Sequence, residues 1–274
     1  MSFIQHNIHI INAIAKKNLK IKLRNNQTYL YSFGFPFLFT FLFYIIFKPI
    51  SVTSNGISVF DMAISGMLIY TASFGTINAA TSLTIEKERL TLTRLDTTPV
   101  GRAKIFFGTL LSESFFLLIQ IVLMFTISYG LLGAQWYNQD FGLLILGFFI
   151  IFLFGLSTLG IGIIISANAK SANAAVGLSM MYVMPILFLS GSIIPFENPI
   201  VYLCPPFWAN QLYQQVVILG DDLWSDSLRF NTQNIFTAEF SFLPLWGSIF
   251  IIFLILLGTT FIGIRLFQKK TLDH

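Results

Sequence analysis

The segment whose residue types are most capable of specific binding is residues 86–102, in which acidic and basic side chains alternate. Leu92 and Leu95 lie one helical turn apart and form an apolar edge along it. Pro99 ends any helix that begins upstream, because proline has no N–H to donate and disfavours helix at the residue before it. The pattern therefore predicts either a short rigid helix that docks a soluble partner or an ordinary charged loop.

Motifs for enzymatic chemistry are scarce. His6, His9 and His274 lie outside every long apolar run, so they do not form the zinc site that needs two histidines one helical turn apart. The sequence contains no nucleotide-binding GxxxxGK(S/T) motif and no GxSxG elbow. Ser190, next to Gly191, fits tight helix packing better than it fits a nucleophile. We therefore predict no catalytic residue, no metal and no cofactor on this chain.

The elements that position these residues are six long apolar runs. Charged residues make up 10% of the chain, against roughly a quarter in soluble domains, whereas 55% of the chain is apolar and 31 residues are Phe. A bilayer hides such a surface, and each run is about long enough to cross a hydrocarbon core of ~30 Å. We predict an all-α, polytopic membrane protein with six transmembrane helices, at residues 30–47, 62–85, 105–133, 141–167, 174–194 and 243–267.

Positive charge lies on one side of these runs. The Lys and Arg residues fall, with the exceptions of Lys48 and Arg229, in residues 16–24, 87–104 and 265–270 and at Lys170. Positive charge that flanks a span stays on the cytoplasmic side, so both termini are predicted to be cytoplasmic, in a cell (plasma) membrane. The net charge of +4 and the pI near 9.2 then describe cytoplasmic loops and do not indicate nucleic acid as a partner.

Residues 1–28 precede the first span and are predicted to form an amphipathic helix at the cytoplasmic interface. Lysines lie off an apolar stripe that recurs every three or four residues, at Ile8, Ile11, Ala15, Leu19 and Leu23. A merely solvated run of positive charge is the alternative. Residues 29–274 then form the membrane domain, which contains a cytoplasmic link at residues 86–104 and an extracytoplasmic segment at residues 195–242.

The charged segment resembles the linker between spans two and three of type-2 ABC transporter permeases. In that family an acidic and basic stretch leads to a Leu, a Thr-Pro pair and a Gly at the start of the next span. The matching positions are Glu86, Glu88, Arg89, Thr91, Leu95, Thr98, Pro99, Val100, Arg102 and Gly108. The family's usual residues are replaced at Leu90, Thr93 and Thr109. Within the family, the linker is most similar to that of drug- and small-molecule-exporter permeases.

A second resemblance follows the predicted fifth span. The family carries a Ser-Gly turn, a Pro and a Pro-aromatic segment there, which form short re-entrant helices at the outer face. The chain has Ser190-Gly191 and then Pro195, Pro199, Tyr202, Pro205 and Trp208. The resemblance implies an extracellular gate or cap made by Gly191, Pro195, Pro199, Pro205 and Trp208. We predict that its half-helices pack against spans five and six.

The resemblance implies the membrane subunit of an ABC exporter, which works as a dimer of two copies or with a sister permease. Cytoplasmic ABC ATPase subunits would bind the ATP and Mg²⁺ and would move a lipophilic or small-molecule substrate outward by driving the linker. The residues that would couple to the ATPase are Glu86, Glu88, Arg89, Thr91, Leu95, Pro99 and Arg102.

Glu113 lies about two turns into the third predicted span, where an ionisable group is costly and usually faces the bundle interior or a cavity. One interpretation is a polar residue of the translocation path, or a lock to a cytoplasmic Arg. The other is a carboxylate that reaches back to the interface beside Arg102 or Lys104.

Two rival functions come from other classes. An intramembrane enzyme would use Glu113, Asp61 or Ser190, but the spans hold no His and no second carboxylate to assist. An ion-coupled secondary transporter would normally show several carboxylates in its spans or paired broken helices in symmetric halves, and the sequence shows neither.

Two further patterns predict packing. Thr158, Gly162 and Ser166 recur every four residues on the fourth span, which favours a close helix contact within one subunit. The first span has Phe at every second position from Phe33 to Phe43 and is predicted to face lipid.

Overall fold

The computed structural model describes residues 3–24, 30–50, 58–88, 102–190, 199–221, 223 and 245–272. The long elements of these residues are all helical. In chain order they are α1 (Phe3–Leu23), α2 (Phe35–Phe47), α3 (Val59–Glu88), α4 (Arg102–Phe125), α5 (Phe141–Asn168), α6 (Ala172–Leu189), α7 (Pro205–Tyr213) and α8 (Leu245–Leu272). Wider π-helical turns precede α2 and follow α4 and α7, at Leu30–Gly34, Thr126–Leu131 and Gln214–Leu219.

The prediction of an all-α, polytopic membrane protein is confirmed. Within the described part of the chain, five segments are long and apolar enough to cross a bilayer: Val59–Glu88, Phe106–Leu131, Phe141–Asn168, Ala172–Leu189 and Leu245–Gly263. The helix at the predicted first span, Ser32–Phe47, is apolar but shorter and rises only ~24 Å. A bilayer can thin locally around such a segment. The predicted first span, and with it the total of six, therefore stays a prediction.

α3 is the central helix and is buried along most of its length, between α2, α4, α5 and α6. Its hydroxyl side chains tolerate this burial because they bond to carbonyl groups one turn back along the helix. The Thr71 hydroxyl donates to the carbonyl of Met67 at 2.9 Å, and the Thr84 hydroxyl donates to that of Ala80 at 2.7 Å. These buried hydroxyl groups are therefore paired, although α3 lies inside an apolar bundle.

α5 packs against α3 at very close range. A Cβ atom added to Gly162 would lie 2.5 Å from the carbonyl oxygen of Thr76 and 2.8 Å from Cβ of Ala79, so only glycine fits. One turn away, the Thr158 hydroxyl donates to the Ala72 carbonyl at 3.0 Å, and the Thr76 hydroxyl donates to the Thr158 carbonyl at 3.1 Å. The predicted close contact of this stripe within one subunit is confirmed, and α3 and α5 form a tightly joined pair.

The surface of the bundle is apolar where α2 and α8 form it. The exposed side chains on α2 include those of Phe35, Phe37, Phe39 and Phe41. On α8 they include those of Phe250, Phe253, Leu254, Leu257 and Phe261. Exposed apolar surface of this extent requires cover, and the exposed Phe side chains of α2 fit the predicted lipid-facing first span, which stays a prediction.

Charge distinguishes the two ends of the bundle. One end, here called the basic end, holds the end of α3, the start of α4 and the turn from α5 to α6, joined by contacts of Lys17, Lys87 and Glu88. The opposite end, here called the Asp61 end, holds the end of α2, the start of α3 and the connection from α4 to α5. α7 lies toward the Asp61 end, where Gln214 after it donates to the carbonyl of Met62 at 3.1 Å.

α1 lies against α4, and its buried face differs from the predicted stripe. Ala15 is buried as expected, whereas Ile8 is 52% exposed and Leu23 is 41% exposed. Asn18, which the stripe omits, is buried. The stripe was wrong at these positions because it considered apolar residues alone, whereas α4 offers polar partners to one face of α1.

Candidate functional site

Three consecutive charged residues at the end of α3 each bind a different helix at the basic end. The first, Glu86, forms an ion pair with Lys17 of α1, with 3.1 Å between Oε1 and Nζ. The Lys17 side chain is 48% exposed, so water screens the pair and it contributes little stability. The contact places α1 beside the last turn of α3.

The next two residues bind the two helix termini that meet between α5 and α6. Lys87 Nζ donates to the carbonyl oxygens of Ser166 at 2.8 Å and Ala169 at 3.3 Å, at the end of α5. Glu88 Oε1 accepts from the N–H of Ala172 at 3.0 Å, at the start of α6. A cation at a helix C-terminus and an anion at a helix N-terminus both complement the helix dipole. The end of α3 is thereby bonded to α5 and α6.

α1 is fixed to α4 by two polar contacts that lie one turn apart on each helix. Asn18 Nδ2 donates to Thr109 Oγ1 at 3.1 Å, and Lys22 Nζ pairs with Glu113 Oε2. Lys22 Nζ also lies 4.9 Å from the centre of the Phe116 ring, which adds a cation–π attraction. These contacts supply the polar partners that explain the buried face of α1.

The two helices approach closely because α4 has a glycine at their contact. A Cβ atom added to Gly108 would lie 2.8 Å from Cβ of Ile14 and 3.1 Å from the carbonyl oxygen of Ile11. Gly108 is one of the positions that match the family pattern, and here it provides the space in which α1 sits.

Glu113 is buried, with a side chain only 1% exposed, and its ion-pair partner is Lys22. Its second oxygen, Oε1, has no hydrogen-bond partner in the described part of the chain, and neither has Ser112 Oγ next to it. The predicted lock to a cytoplasmic Arg is the interpretation closest to this geometry, but the partner is Lys22 of α1 and not an arginine. A role in a translocation path stays a prediction.

The rest of the predicted linker site is only partly described. Arg102 is the first residue of α4, whereas Arg89, Thr91, Leu95 and Pro99 lie outside the described residues. Glu86 to Glu88 continue α3 and Arg102 begins α4, so both ends of the predicted link at residues 86–104 are helical. Lys, Glu and Arg are good helix formers, so a helix continues past the end of its apolar run.

At the Asp61 end, both oxygens of one carboxylate accept two hydrogen bonds each. Asp61 Oδ2 accepts from the backbone N–H of Ser58 at 2.8 Å and from its hydroxyl at 2.7 Å. Asp61 Oδ1 accepts from Lys48 Nζ at 3.2 Å and from the backbone N–H of Gln135 at 3.0 Å. Lys48 also donates to the carbonyl of Gly133 at 3.0 Å. The carboxylate thus joins α2, α3 and the connection from α4 to α5, and its acceptor capacity is used by structural contacts.

Sequence reasoning named Asp61 only as a residue for the rival enzyme and missed its partners. A signal was available, because Lys48 is one of only two basic residues outside the basic stretches. Lys17 and Lys22 were missed as individual partners, since a run of lysines does not show which of them meets a carboxylate. Among the described residues, no group of three or more His, Cys, Asp or Glu is placed to hold a metal ion.

A buried ring of hydrogen bonds joins the turn before α2 to α3 and α4. Gln120 Nε2 donates to the carbonyl of Ser32 at 2.7 Å, and the Ser32 hydroxyl donates to Asn78 Oδ1 at 3.3 Å. Asn78 Nδ2 completes the ring with Gln120 Oε1 at 3.5 Å. Each amide is paired, as buried polar groups require, so the ring joins the helices and leaves no open polar site.

The predicted cap is represented by a 3₁₀ turn at Pro199–Leu203 and by α7, which begins with Pro205. Proline suits the first turn of a helix because the N–H it lacks has no partner there. α7 packs against α3, α5 and α8, so the predicted contact with the last span is present and α3 and α5 are further partners. Gly191 and Pro195 lie outside the described residues.

Aromatic side chains hold α7 in place. Trp208 Nε1 donates to the carbonyl of Tyr202 at 3.0 Å, and the hydroxyl oxygens of Tyr213 and Tyr129 lie 2.6 Å apart. Cys204, just before α7, is buried. Burial raises the pKa of the Cys204 thiol, which makes it a poor nucleophile because the thiolate is the reactive form.

Comparison with known proteins gives a consistent result. Residues 10–217 match the family model of the ABC-2 type transporter. The chain is 26% identical over 195 residues to the "Probable multidrug ABC transporter permease YbhR" of Escherichia coli (strain K12), and equally so to the protein of that name in Escherichia coli O157:H7. The aligned part is 70% of this chain and 48% of each relative, so the chain spans about half the length of the curated relatives it matches.

Proposed function

The chain belongs to the ABC-2 type transporter family, and we propose that it is the permease of an ATP-driven exporter of a lipophilic or small-molecule substrate. Membership makes it a multi-pass membrane subunit of an ABC transporter, a class that associates with ABC ATPase subunits, rather than an enzyme. Outward transport and the class of substrate belong to the proposal. The word "multidrug" in the name of the E. coli relatives supports a small-molecule substrate.

We propose that the basic end of the bundle faces the cytoplasm of a cell whose plasma membrane holds the protein. The support is the positive-inside rule, since Lys17, Lys22 and Lys87 lie at this end with the turn that contains Lys170. The amino and carboxyl termini are then both cytoplasmic.

The observation that carries the proposal is the set of contacts made by residues 86–88. These residues end α3 where the link to α4 begins, and they bond to α1, to the end of α5 and to the start of α6. A partner that displaces the link therefore acts on several helices at once. This is what coupling to a separate ATPase requires.

In the proposed complex, ATPase subunits bind the link through Arg89, Thr91, Leu95 and Pro99. ATP and Mg²⁺ are held on those subunits. Two permeases, either two copies of this chain or this chain and a sister, line a path between them. The segment from Pro199 through α7 covers the far end of that path as a gate.

The test is a double variant, Glu88→Ala with Arg89→Ala, in the permease co-expressed with its ATPase and reconstituted into proteoliposomes. Loss of the bond from Glu88 to α6 and of a linker cation should lower ATP-dependent accumulation of a lipophilic fluorescent dye by about tenfold, the scale of a coupling energy of 1–2 kcal/mol. The variant should still insert, because both residues lie in the polar segment at the membrane surface.

The matched control is Asp140→Ala, which removes an exposed carboxylate at the far end of the bundle, where Asp140 caps α5 by accepting from the N–H of Gly142 at 2.8 Å. The control should transport the dye at nearly the normal rate. Full transport by the double variant would remove these residues from the coupling role.

A further inference from the structure

We propose that α1 is a strut that connects the two sides of the link, and that Lys22 and Glu113 are the positioning residues that make it move with α4. The inference rests on the proposed function, because it describes how movement of the link reaches the membrane helices. Neither residue is assigned to contact the substrate, the nucleotide or the ATPase.

The first observation is that one short section of α1 touches both helices that flank the link. Lys17 reaches Glu86, close to the end of α3. Asn18 and Lys22 reach Thr109 and Glu113, the eighth and twelfth residues of α4. Five residues of helix rise only ~8 Å, so one short section of α1 joins the end of α3 to the first half of α4.

The second observation is that the two attachments differ in exposure. The side chains of Lys22 and Glu113 are 11% and 1% exposed, whereas those of Lys17 and Glu86 are 48% and 14% exposed. A surface pair exchanges readily with water and salt, but separating a buried pair leaves uncompensated charges in a medium of low polarity. The attachment to α4 is therefore the durable one, and the attachment to α3 is the one that breaks.

The third observation is the close fit at Gly108. The position of its missing Cβ lies 2.8 Å from Ile14, so α1 cannot slide along α4 without a clash or a loss of packing. Packing and the ion pair thus act together, and α1 follows α4 as one body. When the link is displaced, α1 moves with α4 and its contact with Glu86 opens.

The first experiment exchanges the charges of the buried pair in the reconstituted permease–ATPase complex. Lys22→Glu and Glu113→Lys each place two like charges together, and each should raise the number of ATP molecules hydrolysed per dye molecule transported by about tenfold. The double variant restores an ion pair in reversed polarity and should return that ratio to within about twofold of the normal value.

A purely structural role predicts a different result from the same variants. If the pair only stabilises the fold, the single variants lose ATPase stimulation and transport in parallel with the amount of folded protein, and the ratio stays normal. Normal ratios in both single variants, or a double variant as uncoupled as the singles, would overturn the strut. If the unmodified complex shows no ATP-dependent transport at all, the proposed function fails instead.

The second experiment locks the contact that the strut requires to open. Cysteines replace Lys17 and Glu86 in a Cys204→Ala background, and a short reducible bis-thiosulfonate joins them. The joined protein should lose transport, and reduction should restore it. The matched controls are the two single-cysteine variants treated with the same reagent, which should keep transport. Normal transport by the joined protein would show that this contact need not open.

Discussion

Two buried carboxylates, one in each half of the bundle, are paired with lysine, and they differ in how much of their hydrogen-bonding capacity is used. Asp61 accepts two hydrogen bonds on each oxygen, from Ser58, Lys48 and Gln135. Glu113 pairs with Lys22 through Oε2, while Oε1 is buried without a partner in the described part of the chain. Both oxygens of Asp61 thus have hydrogen-bond donors, whereas only one oxygen of Glu113 has one.

This difference in hydrogen bonding suits the Asp61 end to a fixed role and the basic end to movement. A saturated buried network specifies one geometry, because any shift leaves several donors unpaired at once. The basic end instead relies on one buried pair, an exposed pair at Lys17 and side chains that reach helix termini. The exposed pair at Lys17 is exchanged with water at lower cost, whereas the buried pair of Lys22 and Glu113 stays together. We interpret the Asp61 end as the anchor of the transporter and the basic end as the part that its partner moves.

The all-or-none prediction concerns which end faces the cytoplasm. Because positive charge marks the cytoplasmic side, topology reporters fused at Trp136 and Asp222 should report outside, and one fused at Arg94 should report inside. Paired alkaline phosphatase and fluorescent protein fusions in cells measure this directly. An inside signal at Asp222 would reverse the orientation and end the assignment of the basic end to the ATPase.

The largest expected effect on stability is that of Asp61→Asn. Each oxygen of Asp61 accepts from a backbone N–H, which cannot accept in return, so the amide NH₂ of Asn meets a donor in either orientation and Lys48 loses its counter-ion. Breaking such a network should cost about 3 kcal/mol, seen as a lower midpoint of thermal unfolding of the purified protein in detergent. Asp140→Asn, at an exposed cap, is the matched control and should shift the midpoint much less. Equal midpoints for both variants would contradict the role of Asp61 as an anchor.

Glu113→Gln should have a smaller effect on stability than Asp61→Asn, because the amide fits the site. Its oxygen can still accept from Lys22, and its NH₂ can occupy the position of the oxygen that has no partner. Lys22 loses its counter-ion, as Lys48 does in Asp61→Asn, but no backbone N–H is left facing a donor, so the loss should be about 1 kcal/mol smaller than that of Asp61→Asn. The same unfolding measurement checks this, and a shift as large as that of Asp61→Asn would show that the two carboxylates do not differ as described.

Much of the fold was predictable because apolar runs and helices largely coincide in a membrane protein. The fourth span was expected at residues 141–167 and is Phe141–Asn168. The second span extends beyond its apolar run at both ends: Ser58 stands just before it and bonds to Asp61, and residues 86–88 continue it at the other end. Hydropathy marks only the apolar part of a helix, so charged residues at its ends are assigned to the loops.

The pairing of α1 with α4 was not predictable from the sequence. Lys16, Lys17, Lys20 and Lys22 look equivalent in a charge run, and only the packed structure shows that Lys22 pairs with Glu113 and Lys17 with Glu86. Contacts between residues separated by 91 positions, as in Asn18 and Thr109, depend on tertiary structure. The sequence identifies the lysines of α1 as possible partners, and the tertiary structure determines which of them form the ion pairs.

The most direct test of the account is hydrogen–deuterium exchange of the permease–ATPase complex, with and without ATP trapped by vanadate. Local opening and docking change amide exchange where they occur. The account predicts a change in peptides from α1 and from residues 86–88, with unchanged exchange in peptides that contain Lys48 and Asp61. A change confined to the Asp61 end, with the basic end unaffected by nucleotide, would contradict it.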